Sequence, residues 1–385
     1  MLLKREENAM KAVFVTNICT HYRAGAFSEL ARRISAKFYF YSDGSERYWE
    51  KKNATGGGTF EGHNLSGFYL FPRVRITPEL VRRLLSEEYD VAIKCINGRF
   101  ALPVTFLLAK LRKKKFILWQ TLWYHPRTFF HTLSFPLLQY IWRHSDALVT
   151  YGEHGRDYLL SHNVPRDKVF IAWQAVDNAL FNRPIEEKEK NAIRTELRVE
   201  GKRILLFVGQ LIPVKGLEYL IDAYKLMNRK DTVLLIVGAG PLEKTLKERS
   251  RELPDVRFLG YRKQQELPGL YSVASALILP SVTMADVKEA WGLVINEGMN
   301  QGCPAVVTDA VGAGVGGLVR DGVNGFVVPE RNAQALSSAL TRILADPSLE
   351  AVLRKNAREI IQGWDFSRWA SGFVDAIQYS LRNAR

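Results

Sequence analysis

The chain has 385 residues, 47% of them hydrophobic, with 8 Trp, 15 Tyr and 20 Phe; at about 100–200 residues per domain this gives two to three domains and excludes a disordered or fibrous protein. The net charge of +14 is concentrated in residues 1–185, where 27 Lys and Arg face 16 Asp and Glu; such an excess either meets an anionic partner or is a solvated surface. Cys19, Cys95 and Cys303 are too scattered for a disulfide framework and fit a reducing, cytoplasmic compartment, and no apolar run approaches the roughly 20 residues that span a bilayer, so a soluble or membrane-peripheral protein is expected.

Met1–Asn8 is mostly polar and lacks the apolar centre of a signal peptide. Strand-like sequence begins at Lys11, directly after Met10, so the first nine residues read as an appendage or a mis-called start. Short apolar runs then alternate with helical patterns. In the first half they predict strands at Ala12–Thr16, Phe38–Tyr41, Val91–Lys94, Phe116–Trp119, Ala147–Thr150 and Val169–Ala172. The sequons Asn53-Ala54-Thr55 and Asn64-Leu65-Ser66 would matter only in a secreted protein. Gly56-Gly57-Gly58 lies in a polar stretch and reads as a mobile loop, either a functional lid or, the favoured reading, a tolerated surface excursion. The longest apolar run, Phe100 to Ala109, reads as a core helix. After it, Lys110-Leu111-Arg112-Lys113-Lys114-Lys115 is either a lipid-attracting patch or a solvated helix end. The aromatic and basic segment Trp119–Trp142 is either an acceptor or membrane-contact surface or a core helix with a few exposed rings. It includes Trp123, Tyr124, Arg127, Phe129 and Phe130.

The charged stretch Pro184 to Lys202 has no strand pattern and reads as a linker into a helix. After it the order restarts, with strands predicted at Ile204–Val208, Thr232–Val237, Val256–Leu259, Ala276–Leu279, Pro304–Thr308 and Gly325–Val328. Short apolar strands separated by helices indicate parallel sheets covered on both faces. The fold class is therefore α/β, with two Rossmann-like doubly wound domains at 1–183 and 184–365 and a closing helix in 366–385. Ligands of such sheets bind at the carboxyl ends of the strands.

Two segments at such strand ends carry chemistry. In Val208-Gly209-Gln210-Leu211-Ile212-Pro213-Val214-Lys215-Gly216 a glycine ends a strand, and a lysine precedes the helix predicted at Leu217–Asn228. That lysine adds charge where helix amides already attract phosphate. In Glu289-Ala290-Trp291-Gly292-Leu293-Val294-Ile295-Asn296-Glu297 two glutamates stand eight apart. Two helical turns span about 7.2 residues, so a continuous helix would set both on nearly one side. If the helix instead begins near Gly292, Glu289 lies in the preceding loop. The run between them is almost wholly apolar, and acids at the ends of a buried helix usually have something to bind.

With the turn Val237-Gly238-Ala239-Gly240-Pro241-Leu242 and the later Gly302-Cys303-Pro304 and Asp321-Gly322-Val323-Asn324-Gly325, these segments resemble family 4 of the retaining glycosyltransferases. The likeness is close over about residues 200–330 and looser in the first half, at Thr16-Asn17, Arg23, Phe27-Ser28-Glu29-Leu30 and Ala175-Val176-Asp177. It implies the GT-B fold, in which an acceptor-side domain faces a nucleotide-sugar-binding domain across a cleft and a last helix crosses back to the first. It implies that Lys215 neutralises the donor diphosphate, Glu297 accepts the ribose hydroxyls and Glu289 contacts the transferred sugar. Gly209, Gln210, Gly240, Trp291, Gly292 and Leu293 would line the nucleotide-sugar site. Gly25 would bring backbone amides near the diphosphate, although this chain has Gly25-Ala26 where the family often has two glycines. Many members have arginine at the position of Gln210, which supplies hydrogen bonds and no charge. A histidine common after the fourth strand is replaced by Trp119-Gln120-Thr121, with His125 just beyond.

The expected reaction transfers a hexose-type sugar from a nucleoside-diphosphate sugar to a glycan, lipid-linked or other hydroxyl, by front-face attack with retention. No Asp-x-Asp pair and no clustered Cys or His occurs, so neither a metal nor another cofactor is expected. The basic half suggests contact with an anionic membrane at the inner face. No nucleic-acid-binding motif is present. A sugar-nucleotide epimerase of the same fold and a non-catalytic nucleotide-binding module are the alternatives. A dehydrogenase is disfavoured because Gly238-Ala239-Gly240 lacks the third glycine and the spaced acid.

Overall fold

The computed structural model describes residues 10–42, 58–71 and 74–382, so Met1–Asn8, the Asn53 sequon and Gly56-Gly57 lie outside the described residues. The chain forms two compact units. The first comprises Met1–His125, Phe129–Gln174 and Phe366–Arg385, and the second Pro126–Thr128 and Ala175–Asp365.

The first unit is built on a seven-stranded parallel sheet of β1 (Lys11–Thr16), β2 (Ser35–Phe40), β3 (Glu61–Asn64), β6 (Val91–Cys95), β7 (Lys115–Trp119), β8 (Ala147–Thr150) and β9 (Val169–Ile171). Their spatial order is β3-β2-β1-β6-β7-β8-β9. A separate antiparallel pair, β4 (Phe68–Phe71) and β5 (Val74–Ile76), stands beside it in the sequence. The central strands are buried on both faces, as their unbroken apolar runs require. Because β1 connects outward to β2 on one side and pairs with β6 on the other, the loops after β1 and β6 diverge at the carboxyl edge. The helix Phe366–Arg382 covers one face of this sheet, with Phe373 5.3 Å from Phe14 and 5.6 Å from Trp119, centroid to centroid.

The second unit holds a six-stranded parallel sheet of β10 (Arg203–Val208), β11 (Thr232–Val237), β12 (Val256–Gly260), β13 (Ala276–Leu279), β14 (Ala305–Thr308) and β15 (Gly325–Val328). Its order is β12-β11-β10-β13-β14-β15, reversing between β10 and β13. The charged stretch before it contains the helix Glu187–Glu196.

Every strand predicted from an apolar run is present. β3, β4 and β5 are additional. β3 reads Glu-Gly-His-Asn and pairs along one side only, so it has no apolar run to betray it, whereas β4, Phe-Tyr-Leu-Phe, is an apolar run that the predicted strands passed over. Three expectations are corrected or resolved. The run Phe100 to Ala109 forms the helix Ala101–Leu111, but one face of it is open, with Leu107 and Leu111 exposed. The basic run is largely neutralised locally: Lys110 and Lys115 pair with Asp146, and Arg112 and Lys114 reach Glu88, leaving Lys113 exposed. Trp119–Trp142 splits into the end of β7, a loop and the helix Phe129–His144. Trp142 is buried and donates to Gln120, whereas Phe129 and Leu133 are 86% and 71% exposed.

Candidate active site

Three loops meet at the carboxyl edge of the second sheet. After β10, the Gly209 amide donates to the Val237 carbonyl at 3.0 Å, and the Leu211 amide donates to Ala239 at 3.0 Å. The loops after β10 and β11 are thus zipped backbone to backbone. Only glycines permit this: a Cβ on Gly238 would lie 1.8 Å from the Gly209 carbonyl oxygen, and one on Gly240 2.5 Å from that of Leu211. Gln210 is exposed at the tip.

The same strand end leads into a short 3-10 turn, Pro213–Lys215, closed by Gly216 in the left-handed region at φ 60°. The Val282 amide donates to the Val214 carbonyl at 2.8 Å, locking this turn onto the loop after β13. Lys215 is thereby aimed at Glu289: Nζ donates to Oε2 at 2.5 Å, and each side chain is only 16% exposed. The Ser281 hydroxyl donates to the same oxygen at 3.3 Å. A partly buried pair with two donors on one carboxylate oxygen is positioned more firmly than a surface pair.

Glu289 is not on a helix. It sits in the loop after β13 and makes an isolated parallel bridge to Val311. The helix begins at Leu293, with Gly292 as N-cap at φ 95°, so the two-turn relation between the glutamates does not apply. This loop is held from outside by Glu330, which accepts from the Thr283 amide at 2.5 Å and its hydroxyl at 2.6 Å. Arg331 completes the hold by donating to the Thr283 carbonyl at 2.6 Å.

Glu297 lies within the helix Leu293–Asn300 and is buried. Its Oε2 accepts from the Tyr271 hydroxyl at 2.7 Å. Burial pushes its carboxyl up to about 7, with the Tyr271 hydrogen bond opposing. Burial, with the neighbouring Glu297, holds the Tyr271 phenol well above its ordinary value. The structure therefore joins Lys215 to Glu289 and gives Glu297 a separate partner that no sequence pattern signalled.

Trp291 is buried, donates from Nε1 to Asn296 at 2.8 Å and packs its ring 5.5 Å from Trp364. Its visible role is to fix the turn into the helix. Gly292 and Leu293 start that helix; the Ile295 amide turns back to the Gly292 carbonyl at 3.0 Å, and the helix start suits an anion. In the first unit, Gly25 is the fifth residue of the helix His21–Arg33, past its open first turn, and a Cβ there would lie 2.3 Å from the Phe366 ring. Its visible role is packing. His125 lies against Phe135 at 4.2 Å, and burial, then His162, lowers its pKa.

Residues 188–360 match the family model described as glycosyl transferases group 1. This segment is a group 1 glycosyl transferase domain. Lys215, Glu289 and Glu297 all fall within it. The uncharacterized glycosyltransferase MJ1607 of Methanocaldococcus jannaschii is 31% identical over 214 residues, covering 53% of this chain and 52% of that protein. The alpha-D-kanosaminyltransferase of Streptomyces kanamyceticus is 29% identical over 244 residues, covering 60% and 61%. The matches to these curated relatives thus span about half to three-fifths of their length. Among solved structures, Anabaena HepE in complex with UDP superposes with a TM-score of 0.76 at 19% identity, over 96% of this chain and 100% of that one. That likeness gives the chain its fold, GT-B.

Proposed function

We propose that the chain transfers a hexose-type sugar from a nucleoside-diphosphate sugar to a hydroxyl of a glycan or lipid-linked acceptor, with retention as in family 4 and without a divalent metal. The observation that carries this reading is the Lys215–Glu289 pair, fixed by two interlocked loops at the carboxyl edge of the second sheet. As the anomeric C–O bond breaks, negative charge grows on the leaving β-phosphate, and a preorganised cation is worth most there. Lys215 supplies it, and the open amides at the start of the helix Leu293–Asn300 add to it. Glu289 holds the ammonium in place and offers its carboxylate to the sugar hydroxyls. Glu297, when ionised, accepts the ribose hydroxyls. The acceptor oxygen bonds to the anomeric carbon from the face the phosphate leaves, and its proton passes to that phosphate. A lysine as the leaving-group cation, with no Asp-x-Asp in the chain, supports metal independence.

A peripheral, cytoplasmic enzyme touching an anionic membrane is part of this reading. No described helix is long and apolar enough to cross a membrane. Residues 91–145 contain no Asp or Glu and nine Lys or Arg. Within them Phe129, Leu133, Leu137 and Tyr140 line one side of a single helix, all exposed. Lys110 and Lys115 pair with Asp146, Arg112 and Lys114 reach Glu88, and Lys94 is buried. The charge offered with the apolar stripe is therefore that of the exposed Lys113 and Arg143, which suits an anionic lipid surface. The stripe fits a second copy poorly, because two-fold pairing would bring like charges together.

A thermal-shift panel with UDP, GDP, ADP and their common sugar conjugates tests the donor site. One nucleotide is expected to stabilise selectively, and Lys215→Ala and Glu297→Ala to lose that stabilisation. Undiminished stabilisation in both variants overturns the assignment.

A further inference from the structure

The first unit holds a cation that sugar donation by the second does not use. Arg23 is the third residue of the helix His21–Arg33, just past the carboxyl end of β1. One guanidinium nitrogen donates to the Tyr151 hydroxyl at 2.9 Å. Its carbon lies 5.0 Å from the ring centroid of Trp119, 5.4 Å from that of Tyr151 and 5.6 Å from that of Tyr22. Three rings around one guanidinium strip water from its faces and fix its plane. Its edges remain, and of five N–H donors one finds an acceptor among the described residues. Among the described residues no carboxylate pairs with it.

Among the described residues the surroundings offer no anion either. The first turn of its helix has no acidic residue, and the N-cap Thr20 makes no side-chain cap. The Thr20 hydroxyl and the indole N–H of Trp119, itself 3% exposed, are buried without partners among the described residues. The thiols of Cys19 and Cys95 and the Tyr151 phenol all feel Arg23, but burial pushes each of them up, so they stay neutral. Arg23 also stands where β1 and β6 part, the ligand-binding edge of a parallel sheet. An oriented guanidinium with open N–H edges, a spare hydroxyl and no counter-charge matches a planar or tetrahedral oxyanion.

We propose that Arg23 anchors an oxyanion-binding site in the first unit, taking a phosphate or carboxylate group of a substrate. The inference rests on the sugar-transfer reading only for who supplies that group, a donor diphosphate or an acidic acceptor.

The experiment uses the full chain carrying Lys215→Ala, which removes the cation of the second unit. Inorganic phosphate is titrated and followed by tryptophan fluorescence, since Trp119 abuts the guanidinium. Saturable binding is expected, weakened about tenfold by adding Arg23→Gln, which can still donate to Tyr151 but carries no charge. Arg23→Lys should recover it only in part, because a point charge replaces the fork. Unchanged melting of the Arg23→Gln protein separates lost binding from lost folding; where melting falls, Arg23→Lys decides, and phosphate affinity equal to that of the Lys215→Ala parent overturns the site. Phosphate binding that is absent, or identical with and without Arg23, also overturns it. A UDP titration of single Arg23→Gln then names the source: weakened UDP assigns the donor diphosphate, unchanged UDP an acidic acceptor. Failure of UDP to bind the wild type would refute the donor reading and leave the phosphate result standing on its own.

Discussion

Glu297 supplies the sharpest test of the donor site, through its cost to the fold. Its carboxyl is moved by burial from an ordinary 4.5 to about 7. A raised carboxyl binds a proton in the folded state that the unfolded state has already released. Stability from this group is therefore full below about 4.5, falls as pH rises to about 7 and is flat above. At about 1.4 kcal/mol per pH unit of separation, the loss is about 3 kcal/mol. Glu297→Gln keeps an acceptor for the Tyr271 hydroxyl and removes the buried charge. Relative to wild type, the variant should gain stability between pH 5 and pH 8, by of order 5 °C in the melting of the second unit. The same variant should bind the nucleotide at least about tenfold more weakly at pH 8, since an amide replaces a carboxylate as acceptor for the ribose. In wild type, nucleotide affinity should rise with pH through about 7. Scanning fluorimetry and nucleotide titration at the two pH values decide it. A variant equally destabilised at both pH values, with native affinity, would make Glu297 a mere packing acceptor for Tyr271 and refute the reasoning.

The interlocked loops and the apolar stripe give two further tests. Gly238→Ala places a Cβ 1.8 Å from a backbone oxygen and should cost about 3 kcal/mol or more and weaken donor binding, whereas Gly260→Ala, with open space around it, should cost about 1 kcal/mol; equal losses in thermal melts would show that the loops are not zipped as described. Wild type should float with phosphatidylglycerol vesicles more than with phosphatidylcholine ones, and Leu133→Ser/Leu137→Ser with Lys113→Glu should sink without loss of melting temperature; identical flotation would remove the membrane reading, and a dimer that these changes dissolve would replace it with self-association.

Strands buried on both faces were legible because burial demands unbroken apolar runs, as in Ala147–Thr150 and Thr232–Val237. β3 was not, since an edge strand with polar side chains satisfies its hydrogen bonds without an apolar signature. The glycine-rich turn and the lysine were readable for a local reason: a backbone that must touch another backbone, or a cation at a strand end, is encoded at its own position. Tyr271, Glu330 and Arg331 were not, because each acts on a segment from another strand connection: Tyr271 on Glu297 of the helix Leu293–Asn300, Glu330 and Arg331 on Thr283 in the loop after β13. Spacing alone left one point open. Eight residues allowed either one helix carrying both glutamates or a helix beginning near Gly292, and the second holds: Gly292 caps the helix and leaves Glu289 in a bridge to Val311.

That break in the segment separates two kinds of carboxylate. Glu289 is paired with a cation on a loop braced from three sides, and in the proposed reaction it exchanges partners when a diphosphate draws on the ammonium. Glu297 is inside a helix with a neutral phenol for company, so it is held in a state that costs the fold free energy as pH rises. A structural carboxylate in that position would gain from being an amide, and its presence is explained if a ligand with hydroxyl donors completes it. The same logic reaches Arg23 from the opposite sign of charge: a guanidinium whose protein neighbours supply rings and one hydroxyl, and no anion, is also incomplete without a partner. Two under-satisfied groups of opposite charge, one in each unit, match a substrate set that brings hydroxyls to one and an oxyanion to the other.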